Sequence, residues 1–157
     1  MRLGFSVVGI AFLLILFVPN IRWARNQPDG YAEISRHESR TLLALERIGQ
    51  VATTCTAVAF VSPQGFELPW LLWLVAALML MVLYELAWVR YFKGGAQLDG
   101  MYAPLGPIPV PIATLPVAAF VLLGIWHQSP AAVLSAIILG VGHIGIHLGH
   151  LQELAGR

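Results

Sequence analysis

Cysteine and lysine occur once each, at Cys55 and Lys93, and charged residues make up only 11% of the chain. A lone cysteine excludes an intrachain disulfide and any Cys-based zinc knuckle. Lys93 sits beside Gly94 and Gly95, outside the apolar runs, so no buried lysine is offered for a Schiff base. A soluble domain carries about 25% charged residues. The deficit, with 58% hydrophobic residues, places the chain among multi-pass membrane proteins. A net charge of +1 and scattered arginines exclude a nucleic-acid strip. The chain has no internal repeat, and repeats are what many transporters are built from.

What is present is a series of apolar runs. They predict an all-α membrane protein, one domain over residues 1–157, with five transmembrane helices at about residues 3–18, 43–61, 68–92, 112–126 and 131–151. The first run is short enough to be a signal peptide. However, only Arg2 precedes it, and PNIRW rather than a small-x-small site follows, so it is expected to stay as a helix. The fourth is broken at its start. Pro104, Pro107, Pro109 and Pro111 supply no backbone donors, so residues 103–111 should be extended or interrupted. The regular part is about 22 Å long, short of a bilayer core of about 30 Å. Such segments line binding sites or lie as plain loops at the interface.

Arg22, Arg25, Arg36 and Arg40 fall in the loop 19–42, and Lys93 in the loop 93–111; the other two loops carry neither Lys nor Arg. The positive-inside rule puts both basic loops in the cytoplasm, the N-terminus outside and the C-terminus inside. Trp23 and Trp88 then fall at inner ends and Trp70, Trp73 and Trp126 at outer ends, as interfacial tryptophans should.

The last run ends GVGHIGIHLGH. On a helix, His143, His147 and His150 fall within about 60° of one another. Gly142, Gly145 and Gly149 gather on a different face. That smooth strip suits close approach of a neighbouring helix, either within the chain or in a homo-oligomer. On the second span Glu46 and Gln50 share a face, and Glu85 and Arg90 lie near the inner end of the third. Counted from the span centres, Glu46, Glu85 and His147 all lie about 9 to 10 Å on the cytoplasmic side of the midplane. Hydrocarbon penalises each such group by roughly 2.5 to 3.5 kcal/mol at its centre, so the groups are expected to face one another.

This predicts a one-sided pocket. His147, His143, Glu85 and Glu46 are the candidate acids and bases. Arg90, Arg47, Gln50 and His150, with Arg22 and Asn26 beyond the first span, would hold a head group. The bland alternatives are a structural polar network and ordinary positive-inside anchoring. His143 and His147, at i and i+4, also offer a chelate to a divalent metal such as zinc or iron, although HxxxH without the HExxH glutamate is a weak pattern. Cys55 reads as packing, and Tyr84, Trp88 and Tyr91 as an interfacial belt.

The strings PNIRWARNQP, LLALERIGQV, LYELAWVRYF, PIPVPIATLPV and GHIGIHLGH resemble a family of small uncharacterised bacterial integral membrane proteins. The resemblance covers nearly the whole chain and implies the bacterial inner membrane but no activity. The Arg-His-Pro-x-Tyr signature of isoprenylcysteine-type membrane methyltransferases is absent. The expected function is an enzyme or ligand-binding protein for a small amphiphilic or anionic substrate, with membrane lipid as surroundings. The alternatives are an oligomeric solute- or proton-coupled transporter and an accessory subunit.

Overall fold

The computed structural model describes residues 2–156. The regular structure of the described residues is helical apart from a short antiparallel pairing of β1 (Arg2–Leu3) with β2 (Phe60–Val61) and an isolated bridge between Leu105 and Ile108. The long helices are α1 (Val7–Arg25), α3 (Arg40–Ala59), α4 (Trp70–Lys93), α6 (Pro111–Trp126) and α7 (Pro130–Ala155). Short helices α2 (Tyr31–Ile34) and α5 (Leu98–Tyr102) lie in the two basic loops. Three helices, α1, α4 and α7, are long and apolar enough to cross a membrane.

The first helix differs from expectation. It starts four residues later than predicted, because residues 2–3 are extended and Ser6 caps the helix by accepting from the Gly9 amide at 3.0 Å. It also continues through Pro19 to Arg25, so the loop is shorter than 19–42. Proline leaves the Ile15 carbonyl without its helical donor, whereas the next carbonyl along gains side-chain donors. The Leu16 carbonyl accepts from Asn20 Nδ2 at 2.7 Å and from the Tyr84 hydroxyl at 3.2 Å.

The helix α3 has the length of a span, but Arg40, Glu46 and Arg47 keep it out of the apolar set. It turns its polar face to α7. A Cβ at Gly142 would come within 2.3 Å of the Glu46 nitrogen, and one at Gly49 within 2.4 Å of Leu139 Cα. Only glycine permits that approach. Gly145 meets the Leu42 side chain, while Gly149 has open space around it. The close contacts of the glycine strip are thus within the chain.

The short α6 is the centre of the bundle, between α4 on one side and α7 on the other. Val110, in the left-handed region at φ 41°, turns the chain into it, and Pro111 occupies the first helical position. Eleven of its sixteen residues are buried, as befits a helix apolar on every side. Tyr84, Trp88 and Tyr91 also lie inside, each about 1–2% exposed, rather than forming a belt. The predicted belt fails because α4 turns this face towards the core, where Trp88 stacks on Phe92.

Candidate functional site

Near its start α1 touches α3: a Cβ at Gly9 would lie 1.8 Å from the Ala57 carbonyl oxygen. Further along, the two helices part and leave a cleft of about 520 Å³. Its walls are Leu13, Leu16 and Phe17 of α1 facing Val51, Thr54 and Cys55 of α3. Phe120 of α6 and Leu139 and His143 of α7 complete it. The rim is open at the side of the bundle, since Phe17 is 43% and Val51 67% exposed. Cys55 is exposed too, not packed in the interior. The volume lies in the range of about 300–1,000 Å³ usual for small-ligand pockets.

One imidazole stands on this wall. His143 Nδ1 is 2.5 Å from Glu46 Oε1, and both side chains are largely shielded. The Gly142–Glu46 backbone approach, one residue away, sets that register. A carboxylate that accepts Nδ1–H fixes the tautomer and leaves Nε2 as a free acceptor. A neutral imidazole of this kind can take a proton from a ligand.

Behind it, His147 and His150 continue the column into a buried cluster. The rings of His143 and His147 are 4.6 Å apart and those of His147 and His150 6.2 Å. Two short helices cover them. From α5, the Tyr102 hydroxyl lies 2.9 Å from His150 Nδ1, and its ring packs on His147. From the other side, Tyr31 of α2 packs edge-on against His150, and Glu38 Oε1 approaches His150 Nε2 to 3.1 Å. With the phenol donating to Nδ1, Nε2 lies near the Glu38 carboxylate but makes no hydrogen bond to it. His147 Nδ1 is buried without a partner. Burial pushes the Tyr31 phenol up to about 12, with Glu38 and Glu46 adding to the shift. Tyr102 is raised further, again mainly by burial, and Glu38 is raised by burial and by Glu46. Both phenols therefore remain protonated donors at neutral pH.

Several expected members lie elsewhere. Glu85 is not brought to the histidines; its Oε1 is buried without a hydrogen-bond partner. Equal depth misleads here, because α4 packs on α6, which stands between it and α7. Arg90 donates to the carbonyls of Pro104 and Ala103, at 2.8 and 2.5 Å, and so clamps the proline-rich loop. Arg22 lies over the Phe92 ring at 4.1 Å, and Asn26 bonds back to the Arg22 carbonyl. Arg47 is exposed. None of these four lines the cleft, whereas Gln50 does. Among the described residues no three His, Cys, Asp or Glu side chains gather as a metal site. No third His, Cys, Asp or Glu joins His143 and His147 in such a group among the described residues.

Sequence reasoning missed Glu38, Tyr31 and Tyr102, all in loops whose fold over α7 has no periodic signal. It also missed Asn20, whose Nδ2 donates to Leu16 O and to the Tyr84 hydroxyl, both at 2.7 Å, and which lines the cleft. His127, between α6 and α7, is fully buried, with Nε2 3.3 Å from Ser6 Oγ. Its neighbours Pro130 and Ser129 signal only a turn.

These features define an all-helical protein with membrane-length apolar helices and a side-opening, largely apolar cleft that carries a few polar groups. Comparison with known protein families, curated proteins and solved structures finds no match to this chain.

Proposed function

We propose that the chain is a five-helix protein of a bacterial cytoplasmic membrane that binds an amphiphile entering sideways from the bilayer. Counting α3 and α6 as spans is supported by α3 turning Ile48 and Val51, 60% and 67% exposed, outward while its polar face meets α7. The helix α6, about 24 Å long, needs no lipid contact because other helices surround it. Arg22, Arg25 and Lys93 end α1 and α4, which favours that end being cytoplasmic. An apolar, lipid-facing mouth favours a ligand with a hydrocarbon tail.

The observation that carries this reading is His143, oriented by Glu46 at 2.5 Å, on the wall of a 520 Å³ cleft. The tail would lie along Leu13, Phe17, Val51 and Phe120, and the head would meet His143, Gln50 and Asn20. His143 Nε2 would then accept a hydrogen bond from the head group, with Glu46 holding the ring by Nδ1. No observation favours the transporter.

Cys55 supplies the test, being the only thiol and lining the cleft. In vesicles of the full chain, a membrane-soluble maleimide should label Cys55. Single-chain amphiphiles should slow that labelling, and Val51→Trp, which fills the mouth, should remove their effect. Labelling that no amphiphile slows would sink the reading.

A further inference from the structure

We infer that the cleft selects an amphiphile whose head group is uncharged and hydrogen-bonding, such as a long-chain alcohol or amide, rather than an anionic or cationic one. This inference rests on the cleft being a ligand site. It starts from where the charges of the chain have gone.

Among the described residues, no Lys, Arg, Asp or Glu lines the cleft. The arginines expected to hold an anion are engaged or outside: Arg90 with two loop carbonyls, Arg22 with the Phe92 ring, Arg47 on the exposed surface. Its ionisable side chains are His143 and Cys55. The Glu46 carboxylate is taken up by His143 Nδ1 and is not among the lining residues, so no carboxylate or guanidinium faces a head group there. A charged head entering this wall would leave water without gaining a counter-ion, which is the expensive case.

The polar atoms on offer suit a neutral partner. Asn20 uses Nδ2 on Leu16 O and on the Tyr84 hydroxyl, which leaves its carbonyl oxygen as an acceptor. Thr53, 4% exposed, lines the cleft and its Oγ1 is buried without a hydrogen-bond partner. The Gln50 amide and the Thr54 hydroxyl supply both donors and acceptors. His143 Nε2 accepts. A hydroxyl or primary amide can give to Nε2 or Asn20 Oδ1 and take from Gln50 or Thr53, satisfying both sides.

The test uses four probes with the same alkyl chain: an alcohol, a primary amide, a sulfonate and a trimethylammonium. The last two stay charged at any pH. Each is added to vesicles of the full chain at matched mole fraction in the bilayer, and the rate of Cys55 labelling is read. The alcohol and amide should protect at concentrations about tenfold or more below the charged pair, a difference well outside measurement error. Gln50→Lys, at an exposed position on the rim, should shift preference towards the sulfonate. Protection by the sulfonate or the ammonium at equal or lower concentration would overturn the inference while leaving the cleft a ligand site. Protection by none of the four would overturn both.

Discussion

Gly142 lies against the backbone of Glu46 so closely that a Cβ on it would fall 2.3 Å from the Glu46 nitrogen. The next residue, His143, bonds the Glu46 carboxylate. A missing side chain at one position therefore places a hydrogen bond at its neighbour: backbone contact sets the separation of α3 and α7, and the separation brings imidazole to carboxylate.

Gly142→Ala should lower thermal stability by about 1 to 3 kcal/mol, because the methyl meets rigid backbone and the helices must part. Gly149→Ala is the control, since a Cβ there would have nothing within 4 Å. Alanine at that position should be neutral or stabilising by up to about 1 kcal/mol. Equal loss from both substitutions, seen in melting curves, would show that the seam is not set at Gly142.

Glu46→Gln and His143→Asn should be coupled. A double-mutant cycle on stability should return about 1 to 2 kcal/mol between them. Each single variant should also weaken the protection of Cys55 by amphiphiles. Glu85→Gln, remote from the cleft, should leave that protection unchanged. A matching loss in Glu85→Gln would revive the three-helix convergence that depth alone suggests.

Tyr102→Phe removes the hydroxyl 2.9 Å from His150 Nδ1 and leaves a buried acceptor unpaired. The loss should be about 1 to 3 kcal/mol. Imidazole nitrogen shifts of His150, followed by NMR, should change while those of exposed His37 do not. An unmoved His150 signal would dissolve the Tyr102–His150–Glu38 arrangement.

His127 gives a pH dependence of stability. Burial lowers it from 6.5 to about 4, so the unfolded chain takes up a proton before the folded one does. Stability is then complete above about pH 6.5 and falls as pH drops towards 4, by roughly 3 kcal/mol in all. His127→Asn should flatten that part of the pH–melting profile. An unchanged slope would assign the loss to other groups.

Helices, seam, buried cluster and cleft are different levels of one structure, and the sequence reaches them unequally. Hydrophobic runs require helices wherever water is excluded, so the helical architecture and the break before Pro111 are legible from composition and proline chemistry alone. The pairing of Glu46 with a histidine of α7 is foreshadowed by the cost of leaving either in hydrocarbon. Depth, however, is one coordinate of three. It cannot show that α6 separates Glu85 from α7, that Arg90 turns to Ala103 and Pro104, or that Tyr102 and Glu38 fold in over His150. Those choices depend on which helix lies beside which. Side-chain size at contacts such as Gly142 and Gly49 decides that, through packing that no single run of sequence contains.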